Sequence, residues 1–233
     1  KVLNKTGYDF TRNNNNFLPY LNLNYNINKD HNLTYAFSSR IGRPTFWELN
    51  PATIYLTSYN YVQNNPFTKA FTSYNQELNY MFKNSYFVVL SHNYIQDAST
   101  QVPLQKIVTI NEGNNTSEVT KIGYIRTNYG FQQSVNVSLG LRKAFYKGIW
   151  NVNYSTNFGY NVFRGSISQD PVSKEIYPTY VVDRNGVSFS VQINNTIRLS
   201  SKKDWYLTAN YFYQAPQNIE VGIMDTLTSL DLG

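Results

Sequence analysis

A strict alternation of apolar and polar residues, sustained over unusually long runs, constrains this chain more than anything else in it. Successive side chains on a strand point to opposite faces, so such a run is satisfied only by a strand with one oily and one wet face. Leu21, Leu23, Tyr25 and Ile27 share a face, against Asn22, Asn24, Asn26 and Asn28. After Lys29-Asp30-His31 the pattern resumes with Leu33, Tyr35, Phe37, Ser39 and Ile41. A third run places Tyr74, Gln76, Leu78, Tyr80 and Phe82 together, and Lys83-Asn84-Ser85 ends it. The fourth carries Tyr86, Val88, Leu90, His92 and Tyr94, but Phe87 and Val89 make its other face apolar too. No helix-period pattern competes with these runs.

The clearest hairpin follows. Tyr129, Phe131, Gln133, Val135, Val137, Leu139, Leu141, Lys143 and Phe145 face one way, with Asn, Gly, Gln, Ser and Arg between them. Past Lys147-Gly148, the residues Trp150, Val152, Tyr154, Thr156, Phe158, Tyr160 and Val162 alternate with Asn, Ser and Gly. A last hairpin runs from Val187 through Ile197 and Leu199, turns at Lys202-Lys203-Asp204, and returns through Trp205, Leu207, Ala209, Tyr211 and Tyr213. Residues 228–233 open one more run, which makes eight strands and the start of a ninth.

Two properties point past an ordinary antiparallel sheet. Lys143 is the single charged residue on the apolar faces, and it stands beside the Tyr146-Lys147-Gly148 turn, where its amine can snorkel to water. A Lys or Arg facing lipid costs about 2–4 kcal/mol at mid-bilayer and close to nothing at the interface. Connection lengths also alternate. Short turns lie near residues 29–31, 83–85, 146–148 and 200–204, and long polar stretches near 42–70, 96–126, 164–186 and 215–227. Outer-membrane barrels have this asymmetry, with short periplasmic turns and long outer loops. Strands crossing such a membrane need about 9–11 residues and must pair within a closed sheet.

Aromatic residues gather at the strand ends as two candidate interface girdles. Phe82, Tyr86, Phe145, Trp150 and Trp205 flank the short turns; Tyr94, Tyr129, Tyr160, Phe189, Tyr211 and Tyr213 sit toward the long stretches. Composition agrees: 21 Tyr, 14 Phe and 32 Asn stand against only 15% charged residues. Tyrosine belongs to the lipid face and asparagine to a wet lumen. A soluble β-sandwich is the competing reading of the alternation, with one face packed as a core. Strand length and connection asymmetry favour lipid. Nine strands do not close an even-stranded barrel, so the expected fold is all-β, an antiparallel transmembrane β-barrel of which this chain is an incomplete part.

Other classes find no support. No cysteine is present, so there is neither a disulfide framework nor a thiolate metal site. The two histidines, His31 and His92, form no zincin, nucleophile-elbow or triad pattern, and we expect no enzyme, cofactor or metal. A net charge of +6 suggests nucleic acid, but Lys29, Lys83, Lys147, Lys202 and Lys203 sit at short turns rather than in a stripe. Residues 1–10 lack the pattern of a secretory signal peptide, and both ends read as parts of a longer chain.

The segment Arg40-Ile41-Gly42-Arg43-Pro44-Thr45-Phe46-Trp47-Glu48-Leu49-Asn50-Pro51 resembles the barrel region of TonB-dependent outer-membrane receptors with an R-I-x-R-P-(S/T)-x-W-x-L-N-P signature. Residues 18–25 and 38–40 match its lead-in, and Asn65-Pro66 matches a later G-N-P-x-L-x-P element in which Asn64 replaces Gly and Ala70 the final Pro. The resemblance is specific over residues 18–70 and pattern-level beyond. It implies a barrel of about 22 strands, of which residues 1–233 form one partial domain, without the plug and the remaining strands. It further implies a Gram-negative outer-membrane location and import of a siderophore, glycan or peptide, with TonB acting through the absent plug. Its implied partners are membrane lipid and a surface lipoprotein. The alternatives are a non-energised barrel acting as scaffold or secretion partner, and a soluble carbohydrate-binding sandwich.

Candidate site residues follow from position. Arg40, Arg43, Pro44, Trp47, Asn50 and Pro51 form the family-motif loop. The arginines are expected to anchor that loop or a rim ion pair rather than bind ligand, and Trp47 to pack it. Glu77, Arg142 and Arg198 are the charges expected on the lumen wall, paired with each other or with the plug.

Overall fold

The computed structural model describes residues 16–112, 115–200, 202 and 205–233. Residues 1–10 and the Lys203-Asp204 part of the last short turn lie outside them. The strands are β1 (Tyr20–Asn28), β2 (His31–Gly42), β3 (Thr53–Tyr55), β4 (Asn60–Gln63), β5 (Phe71–Phe82), β6 (Tyr86–Glu112) and β7 (Asn115–Phe145). Then come β8 (Trp150–Gln169), β9 (Ile176–Arg198), β10 (Tyr206–Gln214), β11 (Gln217–Ile219), β12 (Gly222–Met224) and β13 (Leu227–Leu232). Eleven of them form one sheet: nine run antiparallel in the order β1-β2-β5-β6-β7-β8-β9-β10-β13, open at both edges within this chain, and β3 and β4 branch from that path. The nine are the eight strands and the start of a ninth that the alternation specifies. Among the described residues there is no α-helix; the 146–148 turn is a single 3-10 turn.

Register settles the ambiguous fourth run. Tyr86, Val88, Leu90, His92 and Tyr94 pair with Phe82, Tyr80, Leu78, Gln76 and Tyr74, so they share the apolar face. Phe87 therefore points to the lumen, where Gly140 leaves room; a Cβ on Gly140 would collide with its ring. The apolar face is not a core. Leu90, Val137, Leu139 and Phe158 lie mid-strand and are 47, 37, 40 and 51% exposed. Burying such side chains is worth about 1.5–3 kcal/mol each, so a sheet that turns them outward is built for an apolar solvent. The sandwich reading requires them to be packed, and they are not.

The opposite wall is lined with amides and hydroxyls that bond one another along and across strands. Asn32 donates to Asn24 (2.9 Å) and Asn26 (2.6 Å), Asn24 to Thr34 (3.2 Å), and Asn157 to Ser190 (3.2 Å). Asn75 and Asn93 are joined in the same way.

The main departure from expectation lies beyond the membrane. Residues 96–126 and 164–186, read as loops, largely continue the ladder: β6 and β7 pair from Tyr86–Leu141 up to Glu112–Asn115, and β8 and β9 up to Gln169–Ile176. Outside lipid a strand no longer needs an apolar outer face, so the alternation that marks it fades while its hydrogen bonds persist. The 42–70 and 215–227 stretches hold the small hairpins β3–β4 and β11–β12.

The wall also forks. Pairing of β7 with β8 stops at Gly130–Gly165. Backbones meet so closely there that a Cβ on Gly130 would strike the Arg164 carbonyl oxygen, and one on Gly165 that of Tyr129; both glycines hold positive φ, +157° and +158°. Above the fork the β8–β9 hairpin leaves the edge of β7, and β4 takes its place in parallel, Asn60–Gln63 beside Ile122–Ile125. The buried core sits here. Tyr61, Val102, Leu104, Ile125 and Tyr177 form one cluster, and Ala98, Tyr129, Phe163 and Val182 another. Tyr129 is thus no girdle residue: at 4% exposure it is covered by the β8–β9 hairpin just above the irregular backbone at Asp97, where φ is +56°.

Candidate functional site

The outer end, where β4 and two tall hairpins meet, concentrates the chemistry of the molecule. In the β6–β7 ladder Lys106 stands directly opposite Lys121. Like charges facing each other across a ladder repel. Glu175, in the β8–β9 turn, resolves this with one carboxylate oxygen for each amine, at 2.6 Å from Lys106 and 2.8 Å from Lys121. Tyr177 donates to the same carboxylate at 2.9 Å, and its hydroxyl lies 2.9 Å from that of Tyr61. Tyr61 donates in turn to the fully buried Asp170 at 3.0 Å. Asp170 also accepts the backbone N–H groups of Val172 (2.8 Å) and Ser173 (3.1 Å), which shapes the turn that presents Glu175. Ammonium groups lie over both tyrosine rings, Lys106 on Tyr177 at 5.4 Å and Lys121 on Tyr61 at 5.6 Å.

The electrostatics fit a lock. Burial acts to raise the Glu175 carboxyl, but hydrogen bonds from Lys106, Lys121 and Tyr177 outweigh it and hold the group at about 2, below the ordinary 4.5. Burial, then the Glu175 carboxylate, keeps the Tyr177 phenol up at about 12. Burial and the neighbouring Tyr177 and Asp170 push Tyr61 far above the phenol range. Both tyrosines stay protonated donors at any physiological pH. Because the folded carboxyl is depressed, its stabilisation is present above about pH 4.5 and disappears as pH falls toward 2. We expect hydrogen-exchange protection of residues 164–186 in the intact protein to fall across that window, and Glu175→Gln to show the acid-like exchange already at pH 7. An unchanged exchange pattern would count against the lock.

A second set of contacts fixes the 42–70 segment. Thr45 and Glu48 form a reciprocal box: the Thr45 N–H donates to the Glu48 carboxylate at 2.7 Å, and the Glu48 N–H to the Thr45 hydroxyl at 3.3 Å. That backbone hydrogen bond is the main cause of the lowered Glu48 pKa. The other Glu48 oxygen meets Arg126 of β7 at 3.2 Å. Further on, Asn65 donates to Thr127 at 3.0 Å, and the Lys69 N–H to Asn128 at 2.7 Å.

The residues singled out from sequence are distributed as follows. Arg40 and Arg43 are exposed and form no ion pair among the described residues; Arg126 supplies the pair with this loop. Trp47 is 64% exposed, and it is its carbonyl that ties into the loop, accepting from Asn64 at 3.0 Å. Asn50 accepts the Ala52 N–H at 3.2 Å, and the Pro51 carbonyl accepts from Gln63 at 3.4 Å; Pro44 lies between Arg43 and the box. Glu77, Arg142 and Arg198 fall on the lumen wall, opposite Ala36, Asn153 and Tyr206 respectively. They do not pair with one another; Arg142 donates instead to Asn153 at 3.2 Å. Of the aromatics expected beside the short turns, Phe82 and Tyr86 form one ring pair at 6.1 Å and Phe145 and Trp150 another at 5.0 Å, while Trp205 stands 70% exposed.

Sequence reasoning missed Lys106, Lys121, Glu175, Tyr61, Asp170 and Tyr177, which belong to segments that only the register unites. Glu48 was legible, because Thr-x-x-Glu is a capping-box spacing.

A family model described as the outer membrane protein beta-barrel family matches residues 2–233. No curated protein matches the chain by sequence. Among solved structures, two variants of the ferric enterobactin receptor of Pseudomonas aeruginosa each superpose with a TM-score of 0.54, at 15 and 16% identity, over 93% of this chain and 32% of theirs. The siderophore receptor PirA of Acinetobacter baumannii gives 0.45 at 16% identity, over 93% of this chain and 34% of its own. The chain spans about a third of the length of the structures it matches.

Proposed function

Since the chain belongs to the outer membrane protein beta-barrel family and so lies in a Gram-negative outer membrane, we propose that it is part of a TonB-dependent receptor importing a bulky nutrient. The carrying observation is the open sheet itself: nine strands with a lipid face, a polar lumen wall and tall locked hairpins at the outer end. A wall of this kind, completed by further strands, encloses a space wide enough to need a plug. In this reading residues 1–233 are one partial barrel domain, and the plug and remaining strands lie elsewhere in the protein. The protein is a receptor or transporter rather than an enzyme. Its TonB contact runs through the plug, and a surface lipoprotein is a further partner.

Arg40, Arg43 and the exposed Phe46 and Trp47 rings, 76 and 64% exposed, then stand at the mouth. The receptors of similar fold point to a ferric siderophore as the first ligand class to test. Cells producing the full-length protein would be given radio-iron-labelled ferric enterobactin, a labelled oligosaccharide or a labelled peptide. We expect accumulation of one of them, abolished in cells lacking TonB or treated with a protonophore. Accumulation that persists in those cells would overturn the reading.

A further inference from the structure

The short-turn end of the lipid face presents two ammonium groups beside one aromatic shelf. Lys83 lies 5.1 Å from the Phe82 ring centre, and Lys143 lies 5.5 Å from that of Phe145 and 5.9 Å from that of Tyr86. The shelf is assembled from two neighbouring hairpins: Phe82 and Tyr86 flank the β5–β6 turn, and Phe145 and Trp150 the β7–β8 turn. Among the described residues neither lysine has a carboxylate partner, and by sequence the short turns carry Lys29, Lys83, Lys147, Lys202 and Lys203 against Asp30 and Asp204. Toward mid-membrane the surface continues as Val88 and Leu139, 41 and 40% exposed.

This is an amphiphilic imprint: cations at the water line, rings at the headgroup level, aliphatic surface below. An ammonium over a ring satisfies the ring's negative face but leaves its own N–H donors without an acceptor. A phosphodiester supplies oxygen acceptors and a compensating charge, and a lipid that carries one also brings chains for Val88 and Leu139. A zwitterionic headgroup would return a cation to a site already rich in them. Short turns face the periplasm in these barrels, which fixes the leaflet. We propose that Lys83 and Lys143 bind the headgroup of an anionic phospholipid of the periplasmic leaflet, with its chains lying on Tyr86, Val88 and Leu139.

The test uses the full-length protein, purified in detergent, offered equimolar phosphatidylglycerol and phosphatidylcholine of identical chains and, in a second competition, phosphatidylglycerol and lipid A, and read by native mass spectrometry. We expect the wild type to retain phosphatidylglycerol preferentially. Lys83→Gln and Lys143→Gln should each reduce that preference about fivefold, as loss of one lysine at an anionic surface predicts. The double variant should show none, and Lys29→Gln should keep it. A heat-modifiability gel establishes that each variant is folded. Absence of preference in the wild type overturns the proposal whatever the variants do. So does an undiminished preference in a folded double variant, or stronger retention of lipid A than of phosphatidylglycerol, which would assign the site to the other leaflet.

Discussion

Arginine placed at Val137 will destabilise the intact protein by about 2–4 kcal/mol, whereas arginine at the adjacent Ser138 will cost less than about 1.5 kcal/mol. Val137 sits mid-strand between Leu90 and Phe158 on the apolar face and is 37% exposed. Its side chain has only lipid to enter, and at that depth the guanidinium reaches neither interface. Ser138 faces the lumen, where its hydroxyl donates to Asn157. Arginine there forfeits that hydrogen bond but remains in water. The pair is measured by denaturant unfolding of the full-length protein in vesicles. The sign of the difference tests the face assignment, since one residue of register exchanges the two faces. Equal penalties, or the larger one at Ser138, would refute a lipid-facing odd-numbered face on β7.

Valine at Gly165 is expected to destabilise the outer end by about 4 kcal/mol, from backbone strain together with overpacking. Its φ of +158° is one that a β-branched residue does not adopt easily, and the new Cβ would occupy the position of the Tyr129 carbonyl oxygen. The loss should be local. Residues 164–186 should become sensitive to protease, while the membrane ladder from Val135–Tyr160 to Phe145–Trp150 keeps its protection. Gly222→Ala is the control, because a Cβ there meets nothing within 4 Å and its φ is ordinary. If Gly165→Val leaves the outer hairpins as resistant as wild type, the glycine pair is not what shapes the fork.

Within the membrane the sequence was nearly a map, because lipid imposes a rule on every second residue. Asn195 shows how firm that rule is: it is a polar residue on the apolar face, and its amide is satisfied by the Trp150 N–H at 3.2 Å and the Ala209 carbonyl at 3.2 Å. Lys143 obeys the rule in its own way, by lying against Tyr86 and Phe145 at the water line. Above the membrane the solvent stops sorting residues by face. In β6, Val102 and Leu104 are fully buried against the outer hairpins rather than facing lipid, and Pro103, Lys106 and Ile107 interrupt the strict alternation, so from sequence the strand reads as a loop. The outer lock was illegible for a different reason. Lys106 and Lys121 meet through a long hairpin and Glu175 arrives from another, so nothing within any local window announces the triad.

The parallel pairing of β4 with β7 gives the 42–70 segment a mechanical character unlike that of the hairpins around it. A hairpin pulled apart from its open end yields one rung at a time. Asn60–Gln63 and Ile122–Ile125 run in the same direction, so tension that slides one strand along the other loads all four rungs at once. Ligand traffic that tugs this segment along its length would meet a clasp that resists as a block. A peeling force across the strands would release it rung by rung, and the direction of the pull would then matter more than its size.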